Sequence, residues 1–152
     1  MTDSLKATIQ RDLHEAMRAK QEVRVSTLRM ALSAIGNAEV AGKEARVLSD
    51  RETITVLTKE AKKRKESAAV YREAGRAETA AREEAEMAVL EGYLPKQLGE
   101  EEVDAVVERA IEQVGATSMA QMGQVMALAQ QEIAGRADGA LVAGKVKARL
   151  TF

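Results

Sequence analysis

The only proline of this 152-residue chain, Pro95, interrupts a sequence that otherwise carries helical period almost throughout. Its ring removes a backbone donor and collides with the preceding turn, so no helix runs through it undisturbed. Leu94, just before it, is pushed toward extended backbone. Upstream lies a long charged region rich in Lys, Arg, Glu and Ala; downstream lie three shorter helical segments broken by glycines. This contrast predicts an N-terminal helical domain over residues 1–94 and a C-terminal three-helix domain over residues 95–152. Strand alternation bounded by turn residues is missing, so the expected fold class is all-α.

The apolar spacing predicts where the helices run. Leu5, Ile9, Leu13 and Met17 recur every four residues and mark a first helix from about Ser4 to Lys20, with Asp3 or Ser4 as its cap. A second helix covers about Glu22 to Val40, with Val25, Leu28, Leu32, Ile35 and Met30 on its buried side. Gly36 inside it costs roughly 1 kcal/mol against alanine, a cost that close approach of another helix, or a kink, would explain. Ser49-Asp50-Arg51-Glu52 is a capping-box pattern that opens a third helix, and Gly75 is its left-handed stop. A fourth follows from about Ala77 to Glu91. Ala61 and Ala68 on the third, with Ala77, Ala81, Ala85 and Ala88 on the fourth, offer the small side chains of a tight antiparallel hairpin. Beyond Pro95 the expected helices are Glu100–Val114, Ser118–Ile133 and Ala140–Leu150, separated by Gly115 and Gly135, with Asp138 capping the last. Val103, Val106, Val107, Ala110, Ile111 and Val114 form the apolar side of the first. Met119, Met122, Val125, Met126, Ala129 and Ile133 form that of the second, and Leu141, Val142, Val146 and Leu150 that of the third.

Composition narrows the function. With no cysteine, disulfides, cysteine nucleophiles and thiolate metal sites are excluded. A formal net charge of −1 gives the whole chain no strong long-range attraction to nucleic acid or an anionic membrane, so any such attraction is local. Three aromatic residues, Tyr71, Tyr93 and Phe152, are few for a single-strand stacking platform. The first ten residues lack the basic and apolar regions of a secretory signal, and no apolar run approaches the ~20 residues that span a bilayer. A soluble, cytoplasmic protein with no membrane association is expected.

The basic run Lys62-Lys63-Arg64-Lys65, with Lys59, Arg72 and Arg76 nearby, has two readings. Lysines and arginines displace condensed counterions from nucleic acid, which makes the run a phosphate-binding patch. Against this, four consecutive helical residues fan around most of the helix and form no single stripe. A hairpin turning at Gly75 would also bring Lys63 to Lys65 near Ala85 to Met87, where Glu83, Glu84 and Glu86 pair with them at ~0–1 kcal/mol each.

The remaining motifs are structural. Glu100, Glu101, Glu102 and Asp104 mark the first turn of a helix, where negative charge is favoured. The sole histidine, His14, stands one position off the first apolar stripe and has no triad context. No His-Glu-x-x-His helix, paired Glu-x-x-His motif or glycine-rich phosphate loop occurs, so neither metal, cofactor nor catalytic residues are assigned. Met119, Met122 and Met126 at helical spacing read as core, with an adaptable partner face as the alternative.

Several stretches resemble the GatB/YqeY family: Val25-Ser26-Thr27-Leu28-Arg29-Met30 with Ala38-Glu39, Ala74-Gly75-Arg76, Glu83-Glu84-Ala85-Glu86 through Leu90, Tyr93-Leu94-Pro95-Lys96-Gln97-Leu98, and Gly135-Arg136-Ala137-Asp138-Gly139 with Leu141-Val142. The likeness extends over essentially the whole chain. It implies an all-helical fold with a small three-helix C-terminal domain. It also implies kinship with the C-terminal region of the B subunit of the glutamine-dependent tRNA amidotransferase, a carbon–nitrogen ligase, where the module lies apart from the catalytic cradle and is implicated in holding tRNA. Gly99 stands where a capping serine is common in the family, Gly36 stands where a basic residue is common, and Gly144 lies inside the last helix.

The resulting expectation is a non-catalytic accessory module that contacts tRNA or a tRNA-processing enzyme. Lys62, Lys63, Arg64, Lys65, Lys96, Arg136, Lys145, Lys147 and Arg149 would neutralise phosphates. The alternatives are a protein-interaction module using Met122 and Met126, and an accessory to amide transfer from glutamine.

Overall fold

The computed structural model describes residues 3–151. Among them are seven α-helices and no strand: α1 Leu5–Arg18, α2 Glu22–Glu39, α3 Asp50–Glu73, α4 Ala77–Glu91, α5 Glu100–Val114, α6 Met122–Ile133 and α7 Gly139–Leu150. A 3-10 turn over Met119–Gln121 precedes α6. They fall into two compact units that divide between Leu94 and Pro95. Phe152, counted above among the aromatics, lies outside the described residues, as do Met1 and Thr2.

Local side-chain chemistry sets the helix ends. The Ser4 hydroxyl accepts from the Ala7 amide at 3.1 Å and starts α1. At the start of α3 the Ser49 hydroxyl accepts from the Glu52 amide, and the Glu52 carboxylate accepts from the Ser49 amide, both at 3.1 Å. This closes the capping box read from the sequence. Gly75 takes φ +76°, and the amide of Arg76 donates to the Tyr71 carbonyl at 2.8 Å, which terminates α3 in the left-handed manner reserved for glycine. Asp138 accepts from the Ala140 amide at 3.1 Å and opens α7.

In the first unit α1, α2, α3 and α4 surround Ile9, Leu28, Ala31, Ile35, Leu48, Leu57, Ala61 and Leu90. The first apolar stripe is corrected here. Met17 is 45% exposed, whereas Ala16 is buried, as is Ile9 two turns earlier. A spacing of four advances 400°, so each step drifts ~40° around the helix and the fourth member leaves the core side. On α2, Met30 is likewise 46% exposed. On α4 the small-residue face also differs from expectation. Ala77, Ala81, Ala85 and Ala88 are exposed, while Ala80, Glu86 and Leu90 are buried and Met87 packs on the core. Burial of the large side chains Met87 and Leu90 outweighs burial of four methyl groups. Apart from its chain neighbours and the backbone of its own helix, nothing lies within 4 Å of where a Cβ of Gly36 would stand, so close approach of another helix does not account for it.

In the second unit α5, α6 and α7 share a core of Val103, Val106, Val107, Ala110, Val125, Ala129, Ile133, Ala137, Val142, Val146 and Leu150. Met122 and Met126 pack against it, whereas Met119 lies in the 3-10 turn and is 40% exposed. The helix begins later than the apolar pattern predicts because the Gln121 side chain accepts from the Thr117 amide at 2.7 Å and holds a separate turn.

Candidate nucleic-acid interface

The basic run lies in the middle of α3, and helical geometry distributes it. Leu57, Ala61, Arg64 and Ala68 are the buried residues of that stretch, spaced by four, three and four. Arg64 therefore falls on the core side and is only 5% exposed. Its Nη1 donates to the Glu60 carboxylate at 2.6 Å and to the Glu60 carbonyl at 3.1 Å. Its Nε lies 3.6 Å from Glu86 on α4 and makes no hydrogen bond. Glu86 is 7% exposed and also lies 3.6 Å from Arg82. Arg64, proposed from sequence as a phosphate contact, is thus an internal cation. Its position on the 57–61–64–68 series was the available signal, and the charge of its neighbours in sequence obscured it.

Its neighbours point outward. Lys62, Lys63 and Lys65 are exposed, and so is Lys59. Lys59, Lys62 and Lys63 stand at positions i, i+3 and i+4, which adjoin on one helix face. Lys63 lies 3.4 Å from Glu60 with 69% of its side chain exposed. A surface pair of this kind is worth ~0–1 kcal/mol. Arg72 is held at 2.7 Å by Glu84 across from α4.

The cations of the second unit are mostly committed elsewhere. Lys145 binds Asp104 at 2.8 Å, and Arg149 binds Glu108 at 2.6 Å. These pairs tie α7 to α5. Arg136 donates from Nε to the Ile133 carbonyl at 2.9 Å and from Nη2 to the Glu132 carbonyl at 2.7 Å, so it covers the carboxyl end of α6. Lys96 and Lys147 are exposed. Residues 95–152 hold six Lys or Arg against eight Asp or Glu, and residues 1–94 hold seventeen against sixteen. The second unit is therefore net acidic, and the first is close to neutral.

Two aromatic arrangements escaped sequence reading. The Tyr93 hydroxyl donates to Asp12 at 2.6 Å and accepts from Arg24 Nη2 at 2.9 Å, which fastens the end of α4 to α1 and α2. Burial first, and the Asp12 hydrogen bond second, push this phenol well above its ordinary pKa. Beside it a 590 Å³ surface recess is lined by residues 20–24, Ala85 and Val89. At the other end of α3 and α4, the Arg76 guanidinium sits 5.3 Å from the centre of the Tyr71 ring. Both contacts join residues distant in sequence or across a turn, so no local motif announces them. His14 is exposed. Among the described residues no group of three or more His, Cys, Asp or Glu side chains is placed to hold a metal ion. None of the helices is long and apolar enough to cross a membrane.

The family model described as Yqey-like protein matches residues 6–150. This chain belongs to the Yqey-like family. The family likeness drawn from the Tyr-Leu-Pro-Lys-Gln-Leu and Gly-Arg-Ala-Asp-Gly stretches is thereby shown over nearly the full length. Among curated proteins, the chain is 32% identical over 145 residues to "Altered inheritance of mitochondria protein 41, mitochondrial" of Pyrenophora tritici-repentis, covering 91% of this chain and 77% of that relative. It is 34% identical over 93 residues to an uncharacterized protein of Schizosaccharomyces pombe, covering 61% of this chain and 74% of that one. The Yqey-like match runs through all seven helices described above.

Proposed function

We propose that this Yqey-like chain is a non-catalytic, tRNA-associated accessory module, akin in role to the C-terminal region of the tRNA amidotransferase B subunit that it resembles. In this reading residues 1–94 and 95–152 are separate domains, and α3 and α4 form an antiparallel hairpin that presents α3 to the ligand. The C-terminal three-helix bundle is mainly architectural. The observation that carries the proposal is the exposed face of Lys59, Lys62 and Lys63, three cations within one turn of a helix. Lys65, Lys96 and Lys147 are exposed and extend the same function. Arg64, which is buried, and Arg136, Lys145 and Arg149, which are only partly exposed, serve the fold instead. The module acts where tRNA is processed, which for this chain we take to be the cytoplasm; the mitochondrial wording belongs to the fungal relative.

A face of three or four lysines predicts modest, salt-sensitive affinity, because each phosphate neutralised releases condensed counterions. Binding of unfractionated tRNA is measured across a salt series. The logarithm of affinity is expected to fall with the logarithm of salt, with a slope that shrinks by about 1 for each of Lys59, Lys62 and Lys63 replaced by alanine. Absence of binding at low salt, or affinity indifferent to salt, rejects the proposal. The alternative of a protein-docking face on Met122 and Met126 has less support, since both pack on the core of their own unit.

A further inference from the structure

We propose that the flank of α3 between Lys63 and Tyr71 accepts an unpaired nucleotide of an RNA loop, its base lying against Tyr71 and Val70 and its phosphate against Lys63. The inference rests on the RNA reading of α3 and adds the kind of RNA and the contact that selects it. Lys63, Glu66, Ser67, Val70 and Tyr71 line a recess of about 450 Å³. All five lie along one face of α3, so the recess is a shallow, open strip of surface and not an enclosed pocket. Val70, 64% exposed, offers an apolar side chain along this strip.

Tyr71 is set in place by the end of its helix. Its carbonyl accepts from the Arg76 amide at 2.8 Å, and Gly75 at φ +76° turns the chain so that Arg76 returns over the ring at 5.3 Å. A tyrosine that carries a guanidinium is a stacking surface of the sort that holds unpaired bases, which every base can use because each has a π-face. Glu66 supplies an acceptor, and the Ser67 hydroxyl supplies a donor and an acceptor, for the base edge. Lys63 stands eight residues before Tyr71, about 12 Å along the helix axis, which leaves room for a nucleotide and its phosphate. Lys59 lies one turn beyond Lys63 for the next phosphate. A duplex buries its bases and presents none to such a recess; a loop or single strand does.

The chain has two tyrosines and no tryptophan, so its intrinsic emission reports directly on Tyr71 and Tyr93. Titration of the full chain with a single-stranded ten-nucleotide oligouridylate, and with a blunt RNA duplex of equal length, tests the site. The single strand is expected to quench part of the tyrosine emission, and the duplex to leave it unchanged. Tyr71→Phe should abolish that quenching and keep the affinity within about twofold. Tyr71→Leu, which keeps apolar bulk without a ring, should weaken single-strand binding about tenfold. If Tyr71→Leu binds as wild type while Lys63→Ala weakens binding, stacking is rejected and the basic face stands. If neither nucleic acid binds at low salt, both readings fall.

Discussion

Lys20 is one of two non-glycine residues with positive φ among the described positions, at +56°, the other being Ala134 at +49°. Each ends a helix where glycine is the strain-free choice. Lys20 follows α1, and the Gln21 amide closes the turn onto the Ala16 carbonyl at 3.0 Å. Lys20→Gly is expected to stabilise the fold by about 0.5–1 kcal/mol, relief of strain being partly offset by the freedom of glycine in the unfolded chain. Gly36→Ala should act in the same direction by up to ~1 kcal/mol, since the added methyl meets no neighbour. Chemical denaturation checks both. A third residue-scale effect depends on pH. Arg46, and then the Ser49 amide, hold the Glu52 carboxyl down at about 2. Lys6, and then the Leu48 amide, hold Glu39 below its ordinary value. A carboxyl depressed in the folded state contributes stability that is complete above its ordinary pKa and lost as pH falls through the folded value. Amide exchange at Leu48, Ser49 and Glu52 should therefore stay slow near neutrality and accelerate as pH falls from 4.5 toward 2, after correction for intrinsic rates. An unchanged protection profile across that window would contradict the assignment.

At the scale of the element, α3 is governed by the buried charge set that joins it to α4. Arg64 with Glu60 on its own helix and Glu86 on the next puts one cation between two carboxylates in a nearly dry setting. Removing the cation leaves Glu86 buried without that partner, so Arg64→Met is expected to destabilise the protein by about 3 kcal/mol. The double variant Arg64→Met with Glu86→Leu should regain most of the loss, because apolar side chains of similar volume replace a buried pair at little net cost. Thermal or urea unfolding decides it. A double variant no more stable than the single one would mean that the pair is not the coupling between these helices. Neighbouring Lys65 is exposed, and its alanine variant should shift stability by less than ~0.5 kcal/mol. The same helix thus places a buried cation, Arg64, directly beside exposed ones, Lys63 and Lys65.

At the scale of the whole molecule, the charge balance differs on the two sides of Pro95. The second unit is net acidic, and Lys145 and Arg149 spend their charges on Asp104 and Glu108. Replacing both with alanine should leave tRNA affinity within about twofold while lowering stability by ~1–2 kcal/mol, the sum of two partly exposed pairs. Replacing Lys59 and Lys63 with alanine should instead lower tRNA affinity and shift stability by less than ~1 kcal/mol. Parallel binding and unfolding measurements on the two double variants distinguish a ligand-binding α3 from a ligand-binding C-terminal bundle.

Residue chemistry acting over three or four positions determined the helix ends. Ser49 with Glu52, Gly75, Gly115 and Asp138 each close or open a helix through contacts within their own turn, and those ends were readable without the fold. A proline ring acts on its immediate neighbours, and Pro95 falls in the non-helical stretch between α4 and α5. Which residues face the core was readable only where large apolar side chains dominate, as in Val103, Val106, Val107 and Ala110. It was not readable for Met17, for the alanines of α4 or for Arg64, because those orientations depend on what the neighbouring helices bring. Tertiary packing alone decided that Arg64 meets Glu86, that Tyr93 joins Asp12 and Arg24, and that most basic residues of the second unit are paired internally. Burial and charge pairing are relations between elements, and a linear pattern records only half of each relation.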